Sequence, residues 1–177
     1  MLLENYELEI FNSKCNPGAM GVHCFAHLSQ DISDAIPYLN SVLGGFEYIA
    51  DPPAVTFKVQ GKLITVHGNK IAVNALKDEA EARKIIEWLK REINDTWEKR
   101  GQISPSYQAT PRPKLMEILK LLPKTNCKAC GEPTCMVFAA RAVEGVKDGT
   151  NCPELSLEAK ARLDAYLGQF RFMDADI

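Results

Sequence analysis

Four of the six cysteines in this 177-residue chain lie between positions 127 and 152, spaced C-x2-C-x4-C and then, sixteen residues later, C-P. No other feature restricts the fold as strongly, because Cys127, Cys130, Cys135 and Cys152 can share a centre only if the chain between them turns back. Gly131 suits a tight turn between ligands, and Pro133 suits a first helical turn, where its missing N–H is not needed. From Thr134 onward Val137, Phe138, Ala140, Ala142 and Val143 can share a helix that stops at Asp148-Gly149. Such a helix, of about 13 residues, is roughly 20 Å long. Thr150-Asn151 must therefore fold back for Cys152 to rejoin the other three, and Pro153 fixes the exit.

Three chemistries fit these thiols: an iron–sulfur cluster, a structural zinc ion, or disulfides. Zinc sites more often combine two separate short knuckles, whereas here three thiols fall within nine residues and the fourth precedes proline, an order seen in clusters. Disulfides are disfavoured because nothing in the sequence suggests export.

The run LPKTNC, the C-K-A-C-G that follows, the P-T-C-M-x-F-A-A helix start, the glycine-bearing helix end and the terminal C-P resemble the small four-cysteine 4Fe-4S domain at the start of the corrinoid iron–sulfur protein large subunit. A similar domain occurs in the B subunit of the Rnf electron-transport complex. The resemblance covers residues 122–155, about a fifth of the chain. It implies one low-potential 4Fe-4S cluster ligated by Cys127, Cys130, Cys135 and Cys152. In those relatives the module is joined to a corrinoid-related barrel or to further ferredoxin motifs, and Pro153–Ile177 contains neither.

The apolar fraction of 46% supports a real core, and a net charge of −2 with mixed signs gives no reason to expect nucleic-acid binding. MLLENYELEIF lacks an export signal, and no run of about 20 apolar residues invites membrane insertion. A cytoplasmic location is expected, where free thiols survive to take up clusters.

The expected class is α+β: an antiparallel sheet covered by helices over residues 1–100, a linker or strap over 101–113, and a mostly helical cluster domain over 114–177. Tyr6–Phe11 and Phe46–Ala50 read as strands. Ala54–Val59, Lys62–His67 and Lys70–Ala75 read as a meander joined by glycine turns, with Lys58, Lys62 and Lys70 on its solvated face. Ile32–Leu43, capped by Asp31 or Ser33, and Asp78–Lys99 read as amphipathic helices. GQISPSYQATPRP carries three prolines and marks the boundary. Lys114–Leu122 and Ser156–Gly168 read as further helices, and the acidic tail from Gln169 as loosely held.

A second group of reactive side chains is Cys15, His23, Cys24 and His27. On a helix Cys24 and His27 would lie one turn apart and the two histidines on one face. A buried thiol beside Phe25 and Leu28 is the plainer reading. His67, near a turn, is placed to titrate near neutrality.

The expected function is electron transfer, with a redox partner protein such as a corrinoid protein or an oxidoreductase of anaerobic metabolism. Four thiolates leave no iron open to substrate, so an electron carrier or accessory subunit is favoured over a stand-alone enzyme. A corrinoid or one-carbon context follows by analogy. The alternatives are a non-redox binding protein whose cluster or zinc ion is structural, and an enzyme using Cys24, His27 or His67.

Overall fold

The computed structural model describes residues 1–12, 21–59, 61–170 and 172. The described residues form two compact units, one from Met1 to Thr110 and the other from Pro111 to Phe172. The class is α+β, with the helices of the second unit around the cysteines.

The first unit is a six-stranded sheet, entirely antiparallel, in the order β1-β2-β6-β5-β4-β3. The strands are β1 Tyr6–Asn12, β2 Val22–Leu28, β3 Glu47–Ala50, β4 Pro53–Val59, β5 Lys62–His67 and β6 Lys70–Leu76. Period-two alternation puts Cys24 and Ala26 of β2, Val55, Phe57 and Val59 of β4, Ile64 and Val66 of β5, and Ile71 and Val73 of β6 in the core. Helices α1 (Ile36–Leu43) and α2 (Glu79–Glu98) pack on the sheet.

The Asp78 side chain caps α2 by accepting the Glu81 N–H at 2.9 Å, while Glu81 accepts the Lys77 N–H at 2.6 Å. Ala82, Ile85, Ile86, Leu89 and Ile93 form its buried stripe. Each Ile or Leu there contributes about 1.5–3 kcal/mol of transfer free energy. Pro37 stands in the first turn of α1 and left-handed Gly44 closes it. No side chain caps α1 itself: a 3-10 turn, Ser33–Ala35, precedes it, and Asp31 accepts the Ser33 N–H at 2.8 Å.

Two sequence expectations need correction here. Residues 22–28 form a strand, not a helix, so Cys24 and His27 point to opposite faces. Alternation was obscured because Phe25, an apolar residue, sits on the outer face between the two histidines, against Phe11 at 4.8 Å and under Lys70 at 4.6 Å. Lys62 is not on a solvated face either; its ammonium is 3.0 Å from Glu81 on α2.

The proline-rich stretch is a strap. Asn40, 1% exposed, donates both amide hydrogens at 2.9 Å, to the carbonyls of Ser106 and Gln108, and accepts the Gly45 N–H at 3.1 Å. Backbone bonds from Ser106 to Pro37 and from Thr110 to Gly45 complete the attachment.

The second unit contains α3 Leu115–Leu121, α4 Cys135–Val143, a 3-10 turn at Gly149–Asn151, and α5 Leu157–Leu167. Ile118, Leu122, Phe138, Ala139, Ala142, Leu155, Leu163 and Leu167 form its core together with Cys135 and Cys152. α4 stops at Val143 rather than continuing to Asp148. Gly145 takes φ +77°, and a Cβ there would lie 2.6 Å from the Phe172 ring, so the chain turns where only glycine fits. Phe172 packs against the core, although it belongs to the tail read as loose. The remainder of that tail beyond Phe170 lies outside the described residues.

Candidate metal centre

The ligand loop joins α3 to α4. Lys124, Asn126 and Lys128 have φ of +59°, +51° and +63°, and Gly131 has +83°. Left-handed geometry costs a non-glycine residue roughly 1–2 kcal/mol and gathers at functional sites. Alternation of left-handed with ordinary residues is also how successive N–H groups form a concave nest for an anion, a device common around phosphate and iron–sulfur groups.

The loop is tied to α4 by Asn126, whose Oδ1 accepts the Cys135 N–H at 2.8 Å. Thr134 caps the same helix by accepting the Val137 N–H at 3.2 Å. Cys135 thus occupies the first helical position. Pro133 lies before this cap and not inside the first turn.

Cys152 closes the 3-10 turn, which Asp148 and Asn151 hold in a capping box. Burial pushes the Cys152 thiol up, the backbone N–H groups of Glu154 and Leu155 oppose this, and the charges of Cys130 and Cys127 add to the rise. Cys152 therefore lies within electrostatic reach of both. Cys130, half-buried, packs against the same apolar cluster that contains Cys135 and Cys152, while Cys127 is exposed. Lys147 Nζ is 3.4 Å from the Cys130 carbonyl oxygen and 3.7 Å from the Glu132 carboxylate.

Among the described residues no three His, Cys, Asp or Glu side chains are drawn together as the holders of one metal ion. The donor set fits an iron–sulfur group: four soft thiols, a loop with alternating left-handed backbone, and an apolar floor under three of them.

Among its described residues the first unit offers no second set of ligands. Cys24 is buried and its thiol is pushed up to about 11 by burial, which makes it an inert core residue. His23 stacks on Phe11, and His27 Nε2 is 2.8 Å from Glu9. Burial and Lys70 hold His67 below the usual histidine range, so it is neutral at pH 7. Cys15 lies outside the described residues. A cavity of about 450 Å³ is lined by Tyr38, Tyr48, Trp97, Arg100 and Tyr107, with Arg100 over the Trp97 ring at 4.1 Å.

Sequence reasoning did not single out Asn126 or Lys147. A hint for Asn126 was available, because an asparagine directly before Cys127 is among the residues that best tolerate a left-handed conformation.

Residues 122–154 match the family described as "Putative Fe-S cluster". The chain is 54% identical over 41 residues to the acetyl-CoA decarbonylase/synthase complex subunit gamma of Methanocaldococcus jannaschii, covering 23% of this chain and 8% of that one. It is 46% identical over 50 residues to the corrinoid/iron-sulfur protein large subunit of Moorella thermoacetica, covering 28% and 11%. The matched segment thus spans about a tenth of the length of these relatives. No solved structure matches. The match supports an iron–sulfur cofactor in the second unit. No helix of the described residues is long and apolar enough to cross a membrane.

Proposed function

We propose that Cys127, Cys130, Cys135 and Cys152 hold one 4Fe-4S cluster, and that the protein is an electron-transfer subunit serving a redox partner in anaerobic one-carbon metabolism. The observation that carries this reading is the convergence of a left-handed ligand loop, the first residue of α4 and the end of a 3-10 turn on one apolar floor. When bound, the group supplies reversible one-electron chemistry, and full cysteine ligation leaves no iron for substrate.

The protein's own residues supply the rest. Phe138, Leu155 and Leu163 exclude water below the thiols, and the N–H groups of Glu154 and Leu155, donated toward Cys152, stabilise negative charge on its sulfur. Lys147 braces the Cys130 carbonyl and neutralises Glu132, which would otherwise add negative charge beside the ligands.

The one-carbon setting rests on the relatives, whose names place such segments in acetyl-CoA decarbonylase/synthase and in a corrinoid/iron–sulfur protein. A corrinoid protein or an oxidoreductase is therefore the proposed class of partner. A reducing cytoplasm is the compartment proposed, since it keeps such thiols available.

Anaerobic purification tests the reading. A brown protein with about four irons and four sulfides per chain, bleached by dithionite with a one-electron paramagnetic signal, is expected. A colourless zinc-loaded protein sinks it.

A further inference from the structure

Exposure of the four sulfurs is uneven, and the uneven side has a distinct surface. Cys127 is the exposed thiol, whereas Cys135 and Cys152 are buried at 8% and 4% exposure. A cluster on these ligands therefore comes closest to solvent at the Cys127 corner. Two lysines, Lys124 and Lys128, flank that corner, both exposed and both left-handed. Neither has a carboxylate partner among the described residues, while the neighbouring lysines do: Lys120 pairs with Glu117 at 2.7 Å and Lys147 with Glu132 at 3.7 Å. The bond from Cys135 N–H to Asn126 brings the first turn of α4 beside Cys127, and that turn carries Met136, 46% exposed.

An exposed methionine on the turn beside Cys127, with two lysines that lack carboxylate partners in the adjoining loop, is a small apolar contact with basic charge nearby. Methionine adapts to varied surfaces, and a charged rim steers encounter and fixes orientation without demanding a large buried area. Interfaces of transient electron-transfer pairs are of this modest kind.

We infer that the Cys127 face, to which the ligand loop contributes Lys124 and Lys128 and the first turn of α4 contributes Met136, is the docking surface for a redox protein whose own surface around its cofactor is acidic. The inference rests on the electron-transfer reading of the cysteines. One electron leaves the reduced cluster across this face and the partner's oxidised one-electron centre gains it; no bond forms or breaks and no proton is required. In the opposite direction the same face receives the electron.

An alternative role for the two lysines is to neutralise the anionic cluster, which would set its potential but leave partner binding alone. The two roles separate in one set of measurements on the full chain, loaded anaerobically, with an acidic flavodoxin hydroquinone as probe. For the wild-type protein the second-order rate of cluster reduction falls as salt rises, because the encounter is attractive. In K124G/K128G, which removes both charges and also relieves the left-handed backbone, the rate at low salt falls about ten-fold and the salt dependence flattens. In K124E/K128E the salt dependence changes sign. Iron content and midpoint potential are measured on the same samples. Carbodiimide coupling, which joins a lysine amine to a partner carboxylate with loss of water, gives a readout independent of electron flow. It is expected to yield flavodoxin adducts mapped to Lys124 or Lys128 in the wild-type chain.

Equal salt slopes in wild type and variants overturn the docking assignment. Rate losses that merely follow a shifted potential, with no adducts at these lysines, overturn it as well. A wild-type chain that holds no reducible cluster overturns the electron-transfer reading and this inference together. A reducible cluster with charge-independent rates removes the docking surface alone.

Discussion

The sheet unit and the cysteine unit satisfy their backbones by opposite means. In the first, ladders join six strands, Asn40 spends its amide on the strap, and Asn94 holds the first residues by accepting from the N–H groups of Leu2 and Leu3 at 2.7 and 2.9 Å. Its single described left-handed residue other than glycine is Ala75 at φ +54°. In the second unit, three such residues fall within positions 124 to 128, in an exposed loop. The sheet unit closes on itself, whereas the ligand loop keeps a conformation that its own contacts reward poorly. The cluster proposed for the four thiols, being anionic, would supply the missing stabilisation when seated among its N–H groups.

The sharpest way to break this comparison is to remove a thiol. Cys127→Ala, Cys130→Ala, Cys135→Ala or Cys152→Ala is expected to abolish cluster retention, read as iron per chain, and to lower the unfolding midpoint of the second unit. The urea transition of the sheet unit should not move; if it does, the two units are not energetically separate. Asn126→Ala should reduce iron retention about ten-fold while keeping all four ligands, since it frees the loop from α4.

The converse experiment is Asn40→Ala. It leaves the buried Gly45 N–H without its acceptor and two strap carbonyls without donors, and is expected to destabilise the sheet unit by about 3 kcal/mol in urea unfolding. Iron content should stay at the wild-type level.

Alkaline pH gives a smaller effect, again confined to the sheet unit. An unfolded Cys24 loses its proton from about 9, but the buried thiol holds it to about 11. Stability from this group is therefore full below pH 9 and declines as pH rises through 11, by roughly 2 kcal/mol in all. Tyr6, pushed up to about 12 by burial and Glu87, adds a further decline only above its ordinary value of 10.0. Cys24→Ala should flatten the part of the curve between pH 9 and 10, as followed by urea midpoints.

The smallest expected change is a gain. Lys128→Gly should stabilise the cluster-free second unit by about 1 kcal/mol, because glycine accepts φ +63° without penalty. A loss instead would mean that the loop is held by contacts of the lysine side chain.

Much of the sheet could be read directly, because β5 and β6 alternate, β4 is rich in β-branched and aromatic residues, and the turns between them carry glycine. β2 could not, because Cys24 with His27 and His23 with His27 give i,i+3 and i,i+4 spacings that mimic a helix, and Phe25 puts an apolar side chain on the outer face. The end of α4 was hidden for a different reason. Val143 and Val146 continue the helical period past the left-handed Gly145 at which the chain turns, and the reason that position must be glycine, the nearby ring of Phe172, comes from a remote part of the chain. The strap followed from its prolines, but its attachment depends on Asn40, whose identity says nothing of partners more than sixty residues away. At the cysteines, spacing pointed to four candidate donors, and it also marked a turn between them. The alternating left-handed backbone and the Asn126 brace depend on φ and on a tertiary hydrogen bond that spacing does not encode.

Graded shelter of the thiols also sets how the protein ages in air. Oxidation follows access and thiolate character, so in a chain that has lost its iron the open sulfur of Cys127 is the first to be capped, with Cys135 and Cys152 trailing. One early scar at that corner is enough to leave an incomplete set of anchors, and a thiol reductant added before the damage passes the reversible stage should restore it.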